Sequence, residues 1–67
     1  MHILTQQYCK GLESHMIPHE IKCDTHLVAE GRQGHVDVWP TTGKWICRKT
    51  RKEGFGLFNL IDYCLGT

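Results

Sequence analysis

The sequence predicts an α+β fold: a three-stranded antiparallel meander with a C-terminal helix packed on one face. Three observations predict it. Apolar and polar residues alternate from Ile21 to Ala29, and again on both sides of the turn Trp39-Pro40-Thr41-Thr42-Gly43-Lys44, the period-2 signature of half-buried strands. Leu57, Leu60, Ile61 and Cys64 then follow the i, i+3, i+4, i+7 spacing of an amphipathic helix. With 67 residues there is room for one domain, and a chain of this size buries only about 60% of its unfolded surface, so its core is marginal.

In chain order, residues 1–20 mix Gln, Gly, Ser and three His without a clear period, and Ile17-Pro18 argues against a helix running through that point. They read as an N-terminal arm, with at most a helical turn over Thr5 to Leu12 that Gly11 breaks. The folded body spans residues 21–67. Its first strand places Ile21, Cys23, Thr25, Leu27 and Ala29 on one face, and Gly31-Arg32-Gln33-Gly34 is the turn that follows. Pro40 presets φ for the second residue of a turn and Gly43 accepts positive φ, so Trp39 to Lys44 closes as a hairpin loop. That closure sets Val38 opposite Trp45 and Val36 opposite Cys47 on a core face, while Asp37, Trp39, Lys44, Ile46 and Arg48 share the other. Gly54 and Gly56 lead into the helix and Gly66 stops it. A helix this short persists only by laying Leu57, Leu60 and Ile61 on Val36, Val38 and Trp45.

Charge is concentrated and not abundant. Five of the eight Lys and Arg (Lys44, Arg48, Lys49, Arg51 and Lys52) fall in one acid-free stretch, although the formal net charge is +1. Beside Trp39 and Ile46 they form the candidate binding surface, with cations for phosphates or for an acidic partner and an aromatic ring for a base. The same cluster also suits a solvated edge strand that resists edge-to-edge pairing. The five His, at positions 2, 15, 19, 26 and 35, read as surface imidazoles. No nucleophile, base and orienting group stand out together, so no catalytic activity is expected.

No basic start precedes a long apolar stretch, and no run approaches the roughly 20 apolar residues of a membrane span. The expected setting is the cytoplasm, with no membrane partner. There, Cys9, Cys23, Cys47 and Cys64 are expected as thiols or metal ligands and not as disulfides.

With hairpin and helix placed, Cys23-Asp24-Thr25-His26, a strand pair ending in Cys47, Gly54-Phe55-Gly56 and Asn59-Leu60-Ile61-Asp62-Tyr63 together resemble the zinc ribbon of bacterial and phage primases. That family runs Cys-x-x-His, a hairpin, Cys-x-x-Cys, then a glycine turn into a short helix, and the likeness covers roughly residues 23 to 64. It implies Cys23, His26 and Cys47 as zinc ligands, but the fourth position holds Thr50. Cys64, His35 or Cys9 would have to complete the tetrahedron of a structural site. Cys23 and His26 are an odd number of residues apart and point to opposite faces of a regular strand, so the strand and zinc readings exclude each other. The reading carried forward needs no cofactor and treats Cys23, Cys47 and Cys64 as small buried hydrophobes, zinc being the alternative.

The leading expectation is a small accessory protein of phage or mobile-element type that binds nucleic acid through Trp39, Lys44, Ile46, Arg48, Lys49, Arg51 and Lys52. In a host cell it would act in the cytoplasm. The alternative uses the same residues on an acidic host protein surface, as an inhibitor or regulator of a host enzyme. A structural zinc module is the third reading, and the open edge of a small sheet allows a homodimer.

Overall fold

The computed structural model describes residues 2–66. Seven elements follow one another: α1 (Ile3–Ser14), β1 (His19–Cys23), β2 (His26–Gly31), β3 (Gly34–Trp39), β4 (Lys44–Cys47), β5 (Glu53–Phe55) and α2 (Leu57–Leu65). The strands form one antiparallel sheet in sequential order, β1-β2-β3-β4-β5. The α+β class and the meander are therefore present, with five strands and two helices where the sequence predicts three and one.

The hairpin and the last helix follow their patterns. Val36 pairs with Cys47, Asp37 with Ile46, Val38 with Trp45 and Trp39 with Lys44. Gly43 adopts φ 81° in the loop, and Gly66 ends α2 in the left-handed region at φ 78°. Leu60, Ile61 and Cys64 are buried as the helical spacing requires.

Three expectations need correction. The segment expected as an arm begins with α1, whose Thr5, Tyr8, Cys9 and Leu12 are buried. Their spacing is the same i, i+3, i+4, i+7 stripe, but only Leu12 is strongly apolar, which hides it in a hydropathy pattern. His2 caps the helix by accepting from the Leu4 N–H at 3.1 Å. Gly11 does not break the helix but marks its crossing with α2, where a Cβ would come within 2.8 Å of Leu57 Cδ2.

The single strand expected from Ile21 to Ala29 is instead the hairpin of β1 and β2, turning at Asp24 and Thr25, with Ile21 paired to Leu27. An even separation between paired residues keeps the alternation in phase through the turn, so period alone cannot reveal it. The Thr5 hydroxyl donates to the Asp24 carbonyl and ties α1 to this turn.

The glycine turn expected around Gly54 contains the edge strand β5, whose Gly54 pairs with Trp45. The Trp45 ring lies against that backbone, and a Cβ on Gly54 would sit 2.2 Å from its Cζ2.

Both helices pack on one side of the sheet. The core there joins Tyr8, Cys9 and Leu12 of α1 and Leu60, Ile61 and Cys64 of α2 to Leu27, Ala29, Val36, Val38, Trp45 and Cys47, with Ile17 from the connection. Among the described residues, no helix covers the opposite side of the sheet.

Candidate interaction surfaces

The uncovered side is set by strand register. One row runs across all five strands as Glu20, Val28, Asp37, Ile46 and Glu53, and a second as Trp39, Lys44 and Phe55. Sequence reasoning placed Trp39, Lys44, Ile46 and Arg48 on one face, and pairing puts Trp39, Lys44 and Ile46 on this side.

Asp37 organises it. Its carboxylate accepts from Arg48 Nε and Nη2, both at 2.8 Å, and lies 3.1 Å from His26 Nε2. The two-pronged guanidinium contact is the strong form of such a pair. Hydrogen bonding from Arg48 holds the Asp37 carboxyl below its usual value against the opposing effect of burial, and His26 adds to the lowering. The His26 ring stacks on Trp39 with centroids 5.0 Å apart and planes inclined by 7°. Lys44 pairs with Glu53 at 3.3 Å and Glu30 lies 3.4 Å from His35. The two cations expected on this face, Lys44 and Arg48, thus already have carboxylate partners.

Lys49, Arg51 and Lys52 are not beside Trp39. They occupy the loop after β4, which lies at the same end of the antiparallel sheet as the β2–β3 turn, because β2 and β4 run in the same direction. Trp39 ends β3 at the other end. The Arg48 N–H donates to the His35 carbonyl at 2.9 Å and ties the loop to β3. A Cβ on Gly34 would come within 3.1 Å of Lys49 Cβ, so the Lys49 stem passes the turn. Arg51 holds φ 62°, a left-handed conformation that costs an ordinary residue energy and is kept by its surroundings.

Arg32, which the sequence reading did not select, joins this end from the β2–β3 turn; its N–H donates to the Cys64 carbonyl at 2.8 Å. Arg32, Lys49, Arg51 and Lys52 are all exposed, and among the described residues none forms an ion pair with a carboxylate. The sequence signal for Arg32 was its place in a glycine-flanked turn, which becomes informative only once β2 and β4 are known to be parallel in direction.

The residues named as zinc ligands do not come together. Cys23 is exposed at the β1–β2 turn, His26 contacts Asp37 on the uncovered side, and Cys47 is buried in the core on the other side. Among the described residues no group of three or more His, Cys, Asp or Glu is arranged to hold a metal ion. Of the cysteines expected as small buried hydrophobes, Cys47 and Cys64 are buried but Cys23 is not.

Thr50, at the fourth ligand position of the resemblance, has its hydroxyl 2.5 Å from the Tyr63 hydroxyl. Burial pushes the Cys47 thiol up, but hydrogen bonds from the Thr50 and Tyr63 hydroxyls and from the Thr50 and Lys49 backbone outweigh it and hold the thiol at about 7. Burial pushes Cys64 up to about 11, with neighbouring Cys47 adding to the rise.

No helix among the described residues is long and apolar enough to cross a membrane. Comparison with known proteins adds no further assignment: no family model, curated protein or solved structure matches the chain.

Proposed function

We propose that the chain is a nucleic-acid-binding accessory protein whose phosphate contacts come from Arg32, Lys49, Arg51 and Lys52. The observation that carries this reading is that two separate turns bring to one end of the sheet four exposed cations that have no carboxylate partner among the described residues. A phosphate approaching them displaces counterions only, whereas one approaching Lys44 or Arg48 competes with Glu53 or Asp37. Trp39, half-buried on His26, offers a stacking surface at the far end of β3. Gly34 and Trp39 are separated by five residue steps, roughly 17 Å of extended strand, so a strand reaching from the cations to Trp39 must follow the uncovered sheet.

The test is tryptophan fluorescence titration with single-stranded and duplex oligonucleotides at two salt concentrations. Four phosphate contacts predict that log affinity falls with log salt with a slope of about −3 for single strands. The double change Lys49→Glu/Arg51→Glu should weaken binding by at least tenfold at low salt while leaving the circular dichroism spectrum unchanged. Binding that ignores salt, or that survives the charge reversal, overturns the reading.

The cross-braced uncovered face supports a second reading. Ile46 and the exposed Phe55 lie among ion pairs that are already formed, and such a preset apolar and aromatic surface suits a protein partner. Capture of a host enzyme that is lost in Phe55→Glu but retained in Lys49→Glu/Arg51→Glu would favour it.

A further inference from the structure

The two edges of the sheet differ. Edge strand β5 has three residues and packs against α2. Strand β1 has five, leaves Glu20, Ile21, Lys22 and Cys23 exposed, and among the described residues has a strand on one side only. Such an edge is a template for another strand. Its phase is fixed by the Glu30 N–H, which donates to the Pro18 carbonyl at 2.8 Å. Antiparallel ladders alternate, so Glu20 turns its N–H and C=O inward to Val28, while those of His19 and Ile21 point out along the edge. Side chains alternate as well. Ile21, paired with buried Leu27, lies on the helix-covered side and is 41% exposed, whereas Glu20 lies on the uncovered side with Lys22 Nζ 3.2 Å from its carboxylate.

The order Glu20-Ile21-Lys22 is its own complement when the strand is reversed. Outward backbone groups must meet outward groups, which restricts an antiparallel copy of β1 to registers centred on a residue. A centre at Glu20 sets carboxylate against carboxylate, and a centre at Lys22 sets ammonium against ammonium; like charges directly opposite destabilise a strand pair. A centre at Ile21 sets each Glu20 opposite the Lys22 of the second copy. It also brings the two Ile21 side chains together and lets each Ile21 N–H donate to the carbonyl of the other. Glu20 and Lys22 are then a non-hydrogen-bonded pair, the kind whose side chains lie closest. The pair within one strand need not open, because an ammonium has three donors and a carboxylate has spare lone pairs, so each charge gains a second partner.

We propose that β1 is the docking surface for a second copy of this chain, in an antiparallel two-fold pairing centred on Ile21 that joins two sheets edge to edge. The bulge between Ile21 and Cys23, and Lys22 itself, are features that keep unrelated strands off an edge. The matched charges make an exception for this partner in this register. Because the bulge confines the ladder to the middle of β1, the contact is smaller than a standard interface and the dimer is weak, of micromolar affinity. The symmetry reverses one copy along the strand direction, so the two cationic ends stay open and face opposite ways.

The test is sedimentation velocity of the intact chain between about 1 µM and about 1 mM at low salt, with amide hydrogen exchange at both limits. The expected result is a concentration-dependent doubling of mass and a slower exchange of the Ile21 amide in the concentrated sample. Glu20→Lys and Lys22→Glu each place like charges opposite one another twice, by symmetry, and each should weaken the dimer at least tenfold without changing the circular dichroism spectrum. The double change Glu20→Lys/Lys22→Glu should restore it, and an equimolar mixture of the two single variants should dimerise although neither does alone. A wild-type chain that stays monomeric throughout overturns the proposal. So does a dimer that survives Glu20→Lys, or one that the double change and the mixture fail to restore. Oligonucleotide titration of the Glu20→Lys chain reports on the cationic end separately, so failure of either reading leaves the other standing.

Discussion

On its helix-covered side the sheet presents Leu27, Ala29, Val36, Val38, Trp45 and Cys47, all buried, whereas the same strands turn Asp37, Trp39, Lys44 and Ile46 to the uncovered side, where Asp37 and Lys44 are held by ion pairs. The first side gains its free energy from area removed from water and tolerates little change of shape. The second gains little from any single pair, because its charges remain close to solvent. What those pairs supply is position: they hold His26, Trp39 and Arg48 in a fixed arrangement without a helix above them. Apolar burial and ion-paired surface order are thus divided between the two sides of one sheet.

Removing bulk from the covered side should give the largest effect. Leu60, fully buried, projects from α2 into the core, and Leu60→Ala should cost about 3 kcal/mol in urea unfolding, from lost transfer energy and the cavity left behind. A loss below about 1 kcal/mol would mean that α2 is not a structural part of the core.

Asp37→Asn tests the uncovered side at its strongest point. The side chain is 19% exposed and holds the Arg48 fork, so the change should cost about 1.5 kcal/mol at neutral pH. The sign of its pH dependence follows from the lowered pKa. The contribution is complete above the ordinary carboxylate range, near pH 4, and disappears as pH falls through the depressed folded value. Wild type and Asp37→Asn should therefore converge in acid, and a gap between them that stays constant as the pH falls would contradict the arrangement.

Cys47 sharpens the comparison because it is an ionisable group on the covered side. Thr50→Val removes a hydroxyl that favours its thiolate, so the Cys47 titration, followed by thiolate absorbance near 240 nm, should move upward from about 7. An unchanged titration would remove Thr50 from the site.

Lys44→Ala should be nearly silent. Its partner Glu53 is well exposed, and such pairs contribute under about 0.5 kcal/mol. A larger loss would show that the uncovered side is as tightly coupled as the core.

How far these features can be read from sequence depends on whether the signal is local. The β3–β4 register and α2 were legible because Val36, Val38, Trp45, Leu60 and Ile61 carry the strand and helix periods in strongly apolar residues. Helix α1 was not, since Thr5, Tyr8 and Cys9 carry the same geometry with weak hydropathy. The face shared by Trp39, Lys44 and Ile46 could be derived from the hairpin alone. The partners that neutralise its charges could not: Arg48 and His26 each lie 11 residues from Asp37, and ion pairing across strands leaves no mark in composition. The division of the basic cluster between face and end follows from the direction of β4 and the site of its exit, neither of which is written in the charge run.

The two helices come from opposite ends of the described chain and meet at Gly11 and Leu57. Each strand closes on its immediate predecessor, so the sheet can zip hairpin by hairpin on the microsecond scale typical of local closures. The Gly11–Leu57 contact has no such shortcut. During synthesis α1 can settle on β2 once that strand has formed, but its Gly11 flank stays open until α2 has left the ribosome. Closure of that clasp, and not formation of the strands, is then the step that brings the two helices together over the sheet.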